Sequence, residues 1–327
     1  MKKKIYITRK IPYQIVNRLR HICDVRMWEE EDTPVPREIL EQEVKDIDGL
    51  FCLLTETIDV ELLNKANNLK IISNMAVGYN NIDINTTTKR GIMVTNTPDV
   101  LTETTADLTF ALLMATARRM VEASAYLKNG EWKTWSPMQL TGQDIHGTTL
   151  GIVGLGRIGE AVVKRAKGFN MDVIYHNRSR KYQVEKDLDI KYVEFNTLLI
   201  ESDYICIMTP LTPETRNLID ADQFRLMKET AILINTARGG IVNESALYNA
   251  LVNKEIWAAG LDVFEHEPVS LDHPLLHLPN VVTLPHIGSA SVKTRLRMAN
   301  LAATNLLKGL TNVKTPNLVN KPLIVKN

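Results

Sequence analysis

Short apolar runs alternate along the first part of the chain with segments in which apolar residues recur every three or four positions. Compact runs rich in isoleucine, leucine and valine are typical of buried strands, and the spaced segments are typical of amphipathic helices. The predicted strands are 5–8, 24–28, 49–54, 70–75 and 92–95. The predicted helices are 12–21, 36–44, 60–66 and 82–89. This alternation predicts a parallel α/β domain, in which Asp59 caps the third helix.

A second block of the same kind follows a long apolar segment at 101–128, which predicts one buried helix. The strands predicted in this block are 150–153, 171–175, 204–208, 231–235, 258–261 and 281–283, with a helix at 160–167. A last helix at 291–307 is expected to return to the first domain. The chain therefore divides into a discontinuous substrate-binding domain, 1–98 plus 289–327, and a dinucleotide-binding domain, 99–288.

The first strand of the second block runs directly into a glycine motif. Its residues are Gly154, Leu155, Gly156, Arg157, Ile158 and Gly159. Gly154 permits a tight turn, Gly156 lets the backbone approach a pyrophosphate, and Gly159 lets the helix pack closely on its strand. A GxGxxG pattern alone is weak evidence, but this one lies between a predicted strand and a predicted helix. It predicts a dinucleotide site rather than a merely structural turn.

The end of the next strand indicates which dinucleotide is preferred. Asn177 stands about where an enzyme specific for NAD carries the acid that holds the ribose 2′-hydroxyl. Arg178 can form paired hydrogen bonds with a phosphate, Ser179 can donate another, and Arg180 adds positive charge. The segment predicts NADP(H) as the preferred cofactor and leaves NAD(H) as the alternative. If the segment is instead an ordinary solvated basic loop, it would discriminate little between NADP(H) and NAD(H).

Composition and charge narrow the function further. The chain has 327 residues, of which 44% are apolar, and 39 basic side chains balance 38 acidic ones. Nucleic-acid binding normally needs a basic surplus, so it is not expected. No export signal, membrane span or disulfide framework is expected either, which predicts a cytoplasmic protein. His266, His273 and His277 lack the spacing of a zinc site, so no metal is expected.

Arg238, Glu267 and His286 each follow one of the last three predicted strands. Because the carboxyl ends of parallel strands meet at one edge of a sheet, the three side chains are expected to converge. Arg238 can bind a substrate carboxylate in a forked pair, and His286 can donate a proton to the reduced carbonyl oxygen. Glu267 can stabilise the charged imidazole by accepting from its other nitrogen. The set predicts reduction of a 2-oxo acid.

Each of these residues also has a structural interpretation. Arg238 alone could bind a helix end, Glu267 could be a loop carboxylate, and His286 could be a buried imidazole with satisfied hydrogen bonds. Their occurrence at successive strand ends, downstream of a cofactor motif, favours the catalytic interpretation.

Four segments in this order resemble the D-isomer-specific 2-hydroxyacid dehydrogenase family. They are the glycine motif, 235–240 (NTARGG), 261–268 (LDVFEHEP) and 285–289 (PHIGS). Within the family the chain is most similar to glyoxylate/hydroxypyruvate reductases, including enzymes described as 2-ketogluconate reductases, and the similarity covers nearly the whole chain. It implies two Rossmann-like parallel-sheet α/β domains, a flavodoxin-like substrate domain and a dinucleotide-binding domain, with the active site in the cleft. The activity implied is NADPH-preferring reduction of small 2-oxo acids to D-2-hydroxy acids.

The resemblance also implies which residues form the site. Arg238, Glu267 and His286 would be catalytic. The residues expected to line the cofactor are Gly154, Leu155, Gly156, Arg157, Ile158, Gly159, Asn177, Arg178, Ser179, Thr236, Ala237, Arg238, Asp262, His286 and Gly288. Those expected at the substrate are Leu54, Val77, Gly78, Arg238 and His286, with Trp135 from the partner subunit of a homodimer.

The parts that these residues would play differ in kind. Val77 and Gly78 would offer backbone N–H groups to the substrate carboxylate, and Leu54 would contribute to an apolar wall suited to a small substrate. Trp135 would reach the partner's active site, although it and Trp132 could instead only fill the dimer interface.

Other functions stay open at this stage. A phosphoglycerate dehydrogenase shares the motifs, but its usual preference for NAD conflicts with Asn177 and Arg178. A formate or phosphite dehydrogenase shares the framework as well. Corepressors of the same fold sense dinucleotides without turnover. The complete Arg-Glu-His set and the balanced charge favour an enzyme over such a binding protein.

Overall fold

The chain folds into two compact units, Met1–Leu101 with Ser291–Asn327 and Thr102–Ala290. The structure is a computed structural model, which describes residues 2–311 and 313–321. The first unit is called unit 1 below and the second unit 2. Their boundaries fall a few residues from the predicted 98/99 and 288/289.

Unit 1 is built on a parallel sheet of five strands in the order β2-β1-β3-β4-β5. The strands are β1 (Lys3–Ile7), β2 (Cys23–Met27), β3 (Gly49–Cys52), β4 (Ile71–Asn74) and β5 (Met93–Thr95). The helices of this unit are α1 (Tyr13–Arg20), α2 (Arg37–Glu43), α3 (Val60–Lys65), α4 (Ile84–Lys89) and the last helix of the chain, α12 (Val292–Leu310). This order is that of flavodoxin-like sheets and confirms the predicted class.

Helix ends and close packing explain how unit 1 is held together. The Asp59 side chain accepts from the backbone N–H of Leu62 at 2.9 Å, which confirms it as the cap of α3. On the sheet, an added Cβ at Gly49 would stand 2.9 Å from the Leu306 side chain. The absence of a side chain at Gly49 therefore lets α12 lie directly on β3, and this is the predicted return of the chain to the first domain.

Unit 2 is built on a parallel sheet of seven strands in the order β12-β11-β10-β9-β6-β7-β8. The strands are β6 (Thr149–Val153), β7 (Asp172–His176), β8 (Lys191–Tyr192), β9 (Tyr204–Ile207), β10 (Ile232–Asn235), β11 (Ala258–Leu261) and β12 (Val281–Thr283). The helices are α5 (Thr102–Ala117), α6 (Met120–Lys128), α7 (Arg157–Lys167), α8 (Tyr182–Leu188), α9 (Phe195–Glu201), α10 (Ala221–Phe224) and α11 (Glu244–Val252), with a 3₁₀ helix at Pro274–His277. The strand order is that of dinucleotide-binding folds.

The single helix predicted over 101–128 is wrong, because the structure has two helices there. α5 ends at Ala117, and Arg119 has left-handed backbone angles (φ 51°, ψ 36°) immediately before α6. The Arg119 guanidinium binds both carboxyl oxygens of Glu122 at 2.7 and 2.8 Å and donates to the carbonyl of Thr141. These side-chain contacts stabilise a turn that the apolar periodicity does not reveal.

Smaller differences concern the ends of elements. α7 begins at Arg157 rather than at residue 160, and α12 continues to Leu310. β3 ends at Cys52, so Leu53 and Leu54 lie in the turn that follows it. β8 has only two residues and is too short for an apolar pattern to predict.

The order of the parallel strands in unit 2 changes direction between β6 and β9. From β6 the order runs outward through β7 to β8 on one side and through β9 to β12 on the other. Ligands of open α/β sheets bind outside the carboxyl ends of strands at such a point. In the described part of the chain, no helix has the length and apolar character needed to cross a membrane.

Candidate active site

The glycine motif lies at the topological switch point of unit 2. Gly154 follows β6 with φ +95°, and a Cβ there would stand 2.7 Å from the backbone nitrogen of Thr209, just beyond β9. A Cβ on Gly159 would lie 3.0 Å from the Gly154 carbonyl oxygen. Gly154 thus requires glycine, and at Gly159 the absence of a side chain permits close packing without a shift of the backbone. Gly156 differs, because an added Cβ would meet nothing within 4 Å. The space in front of Gly156 is therefore open to a ligand.

The start of α7 is suited to an anion. Gly156 is its N-cap, with extended backbone, and as a glycine it has no side chain to cap the first N–H groups. The positive end of the helix dipole and its N–H groups favour a phosphate at this position. Leu155 is only 1% exposed and packs in the core, so only its backbone can contact a cofactor. These residues fit a dinucleotide pyrophosphate.

The loop after β7 carries the residues predicted to select the cofactor. Asn177 donates from Nδ2 to the Ser179 carbonyl oxygen at 3.0 Å and thereby shapes the turn. The Arg178 and Ser179 side chains are exposed. A carboxylate is absent at position 177, so the loop itself offers an anion the Arg178 guanidinium. A hydrogen bond from Thr212 and the charge of Arg178 lower the pKa of Glu214, so this acid lies close enough to interact with the loop.

Arg180 contributes less to this loop than its charge suggests. It forms a forked pair with Glu185, from Nε to Oε1 at 2.8 Å and from Nη2 to Oε2 at 2.7 Å. Its guanidinium also lies 4.8 Å from the ring centroid of Tyr182. Because Glu185 balances the charge of Arg180, Arg178 is the main cation that the loop presents.

His286 and Glu267 form the central pair of the site. The His286 Nδ1 lies 2.6 Å from Glu267 Oε2, and Glu267 Oε1 accepts from the backbone N–H of Phe264 at 3.0 Å. Burial opposes ionisation of Glu267, but the bond to His286, its charge and the Phe264 N–H together lower the pKa of this carboxyl below its ordinary value. The pair therefore consists of an ionised acceptor and an oriented imidazole.

Asp262 holds the backbone next to His286. Its two carboxyl oxygens accept from the N–H groups of Ile287 and Gly288 at 2.7 and 2.8 Å, and its side chain is almost completely buried. His286 itself has φ +53°, an uncommon conformation for a residue other than glycine. Burial raises the pKa of Asp262, against the lowering effect of the Ile287 hydrogen bond and of the nearby imidazole.

Arg238 follows β10 in a turn braced by Asn235, whose side chain accepts from the N–H of Ala237 and donates to the Arg238 carbonyl oxygen. A Cβ on Gly239 would overlap the Phe264 carbonyl group, so this turn lies directly against the segment that carries Glu267. Burial lowers the pKa of Arg238, while the negative charge of Glu267 acts in the opposite direction. A guanidinium stays cationic in either case.

Comparison with known proteins shows the family of the chain. The family model for the NAD-binding domain of D-isomer specific 2-hydroxyacid dehydrogenases matches residues 110–288. The glyoxylate reductase of Korarchaeum cryptofilum is 50% identical over 325 residues, which cover 99% of this chain and 98% of that protein. The chain belongs to the D-isomer specific 2-hydroxyacid dehydrogenase family. It is accordingly an NAD(P)-dependent oxidoreductase.

Solved structures of related proteins have the same fold as this 2-hydroxyacid dehydrogenase. A protein of Thermus thermophilus is 44% identical with a TM-score of 0.90, covering 97% of this chain and 99% of that one. The NADPH-dependent glyoxylate/hydroxypyruvate reductase of Sinorhizobium meliloti, solved with NADP and malonate, is 32% identical with a TM-score of 0.85. That comparison covers 99% of this chain and 100% of the other.

The predicted substrate residues of the dehydrogenase lie in both units. Leu54, Val77 and Gly78 are half-buried residues of unit 1, in turns after β3 and β4. Trp135 belongs to unit 2, follows α6 and is 76% exposed. Thr236 is buried, and its hydroxyl shares a hydrogen bond of 2.7 Å with Thr109. The assignment of these residues to a substrate or a cofactor stays a prediction.

Some residues that shape the site were missed by sequence reasoning. Asp262 was expected only to line the cofactor, whereas both of its oxygens bind the backbone beside His286. Glu185 was not considered, although an acid five residues after Arg180 is a visible signal for a pair. Within the described residues, no group of three histidine, cysteine, aspartate or glutamate side chains is arranged to hold a metal.

Proposed function

We propose that this dehydrogenase reduces glyoxylate and hydroxypyruvate, and 2-ketogluconate as a further substrate, to D-2-hydroxy acids, with NADPH as the preferred reductant. The observation that carries the proposal is the contact of 2.6 Å between His286 Nδ1 and Glu267 Oε2. It orients an imidazole whose other ring nitrogen is left for acid/base chemistry. The relatives named glyoxylate reductase, about half identical over the full chain, support the choice of a small acid.

The chain's own groups then have distinct tasks. Because Nδ1 of His286 is bound to Glu267, Nε2 is the ring nitrogen that can donate a proton to the carbonyl oxygen of the substrate. The ionised Glu267 stabilises the imidazolium before the proton leaves. Arg238 binds the 2-oxo acid through its planar guanidinium and polarises the carbonyl. The bound dinucleotide supplies the hydride.

In the same proposal, unit 1 recognises the acid group of the substrate. The backbone N–H groups of Val77 and Gly78 bind the carboxylate, and Leu54 provides an apolar contact that favours short substrates. These assignments rest on the family resemblance and on the position of both turns at the carboxyl ends of strands.

Cofactor binding is assigned to unit 2. The open space at Gly156 and the start of α7 would hold the pyrophosphate, and Asn177, Arg178 and Ser179 would hold the 2′-phosphate of NADPH. The NADPH-dependent enzyme of Sinorhizobium meliloti, which is related to this chain and was solved with NADP, supports the proposed preference. NAD(H) remains the alternative cofactor.

We also infer a homodimer and a cytoplasmic location. The dimer is supported by exposed apolar side chains around Trp135, which would contribute to the partner's site. Three cysteines that are free and buried are compatible with a reducing compartment.

Replacing Trp135 with Phe should change the ranking of glyoxylate, hydroxypyruvate and 2-ketogluconate, and an unchanged ranking would refute its role at the substrate.

The activity is tested by the loss of absorbance of NADPH or NADH on addition of glyoxylate, hydroxypyruvate, 2-ketogluconate or pyruvate. Rapid oxidation of NADPH with one of the first three supports the proposal. His286→Ala should then lower kcat by roughly 10²-fold or more, since general acid catalysis contributes about that much, while NADPH still binds. His277→Ala, an exposed histidine in the 3₁₀ helix, is the control. Absence of turnover with every acid, despite dinucleotide binding, would instead favour a sensing protein.

The cofactor preference has its own test. Arg178→Ala should weaken NADPH binding, measured by fluorescence titration, and leave NADH binding unchanged. Arg180→Ala removes the same charge two positions away, but its guanidinium already binds Glu185. If both variants lose affinity equally, the loop acts only through its net charge and Arg178 does not contact the phosphate.

A further inference from the structure

Two turns of unit 1 are held by side chains that the proposed reaction does not use. The first turn, 53–56, follows β3, and the second turn, 75–79, follows β4. The Glu56 carboxyl group is buried, with 4% of the residue exposed. It accepts from the backbone N–H of Leu53 and from the Thr8 hydroxyl, both at 2.7 Å. Hydrogen bonds therefore close the first turn and connect it to Thr8, the residue that follows β1.

The Asn81 side chain binds two carbonyl groups of the first turn. Its Nδ2 donates to the carbonyl oxygens of Leu53 at 3.1 Å and Glu56 at 2.9 Å, 28 and 25 residues away in the chain. Both N–H bonds of one side-chain amide are thus used on this turn. Asn81 itself lies just after the second turn, so it carries a contact from one turn to the other.

Asn74 completes the connection. It is fully buried at the end of β4, and its Nδ2 donates to the Gly78 carbonyl oxygen at 2.9 Å and reaches Asn81 Oδ1 at 3.5 Å. Next to it, Asn96 donates to the Val77 carbonyl oxygen at 2.9 Å. A continuous series of hydrogen bonds therefore runs from Gly78 through Asn74 and Asn81 to Leu53.

The orientation of the peptide groups gives this series a consequence for binding. A trans peptide is planar, so its C=O and N–H bonds point in opposite directions. Because an amide holds the Val77 carbonyl oxygen on one side, the N–H of Gly78 is directed to the other side. Asn74 is fully buried, and Asn81 and Asn96 are half-buried, so these bonds are costly to lose. The bond from Asn96 to the Val77 carbonyl oxygen therefore fixes the orientation of the Gly78 N–H, the group expected to bind the substrate.

We propose that Asn81, together with Asn74, is a positioning residue for the substrate, which couples the two turns of unit 1 so that they present their backbone groups as one rigid surface. This inference rests on the proposed function, since it assigns the carboxylate of a 2-oxo acid to the second turn. A positioning role differs from a role in stability alone, because it sets the geometry of the two turns relative to each other.

Asn81→Ala tests the proposal against a matched control. The variant should raise the KM for glyoxylate about tenfold, as expected for about 1.4 kcal/mol of lost binding, and change kcat and the KM for NADPH less than twofold. Asn320 is a buried asparagine of the same unit that accepts from the N–H of Val94 and donates to the Ile92 carbonyl oxygen. Asn320→Ala should lower the thermal midpoint and leave the KM for glyoxylate unchanged. An unchanged KM in Asn81→Ala, or an equal rise in both variants, overturns the positioning role.

Hydrogen exchange of the backbone amides separates this inference from the proposed activity. Even if the wild-type protein reduced none of the acids, Asn81→Ala should speed exchange in both turns at least tenfold, while Asn320→Ala should affect neither. Faster exchange confined to the first turn would show that the turns are not coupled, and would overturn the inference whether or not glyoxylate is a substrate.

Discussion

His286 and Glu267 stand 19 residues apart in the chain, yet their Nδ1 and Oε2 atoms are separated by only 2.6 Å. Hydrogen bonds of this length between an imidazole and a carboxyl group are typical of charge-assisted pairs. The lowered pKa of Glu267 fits such a pair, because it shows that the ionised carboxyl is favoured despite its burial. Two side chains thus form one charge-assisted pair, to which the proposed function assigns the proton transfer.

Glu267→Gln is the sharpest test at this scale. The new amide can keep its oxygen on the Phe264 N–H, but its NH₂ group then faces His286 and no longer favours the imidazolium. We expect a lower kcat for reduction at neutral pH and an alkaline limb of the pH–rate profile that moves to lower pH. Glu265→Gln, which removes a neighbouring exposed acid paired with Arg216, should leave the profile in place.

The same variant has a predictable effect on stability. Because the pKa of Glu267 is lowered in the folded protein, its charge stabilises the fold above the ordinary carboxyl pKa. That contribution is lost as the pH falls through the lowered value. Thermal midpoints of the wild type and of Glu267→Gln should therefore differ at neutral pH and converge in acid. A constant difference would mean that the charge of Glu267 is not the cause.

At the scale of elements, Asp262 connects the ends of β11 and β12. It follows β11, and its two oxygens bind the N–H groups of Ile287 and Gly288 beyond β12. The loop that carries His286 is thus held by the neighbouring strand. This explains how an imidazole on a loop keeps an uncommon backbone conformation.

Asp262→Asn should disturb this loop, because one of the two backbone N–H groups would face the NH₂ of asparagine instead of an acceptor. An unsatisfied buried donor costs about 1–3 kcal/mol, enough to let the loop move. We expect kcat to fall about tenfold. Asp203→Asn is the control, since Asp203 also accepts a backbone N–H, that of Thr149, at the opposite ends of the strands. Equal loss of kcat in both variants would refute a local effect on His286.

The break between α5 and α6 is a second feature of this scale. The left-handed conformation of Arg119 costs roughly 1–2 kcal/mol for a residue with a side chain, whereas glycine adopts it freely. The half-buried pair with Glu122 offsets only part of that, because pairs near the surface are worth about 0.2–1 kcal/mol.

Comparison of Arg119→Gly with Arg119→Ala isolates the backbone term, since both variants lose the guanidinium. The glycine variant should unfold at the higher temperature, by an amount equivalent to about 1 kcal/mol. Equal midpoints for the two variants would mean that the turn changes its backbone conformation once the side chain is removed.

At the scale of the whole molecule, one segment is unusually apolar on its surface. Between residues 120 and 138, six large apolar side chains are more than half exposed. They are Met120, Val121, Leu127, Trp132, Trp135 and Met138. Large exposed apolar areas are typical of interfaces. This segment is therefore the part of unit 2 that the proposed dimer is expected to bury.

The double substitution Val121→Lys and Leu127→Lys should weaken the dimer, because it would place charges in an apolar interface. Sedimentation should then give a mass near 36.9 kDa instead of twice that value. The double substitution Val252→Lys and Leu271→Lys serves as the control. These two residues lie outside this segment, and their exposure is similar to or greater than that of Val121 and Leu127. A wild type that sediments as a monomer would refute the dimer itself.

The apolar pattern predicted both sheets well. It predicted β11 and β12 residue by residue, and the ends of the other strands of more than two residues to within two residues. Strands buried on both faces are continuous apolar runs, so they are visible in sequence. It missed β8, which is too short, and the break at Arg119, which depends on contacts with Glu122 and Thr141.

The sequence by itself determined the class of fold, the glycine turn and the choice of Arg238, Glu267 and His286 as candidates, because these depend on local periodicity and on residue types at strand ends. Only the tertiary structure decided which groups meet. The 2.6 Å contact of His286, the two N–H groups held by Asp262 and the pairing of Arg180 with Glu185 all depend on distances between atoms. Such distances are set by strand order and by the packing of turns, and the spacing of residues along the chain does not contain them.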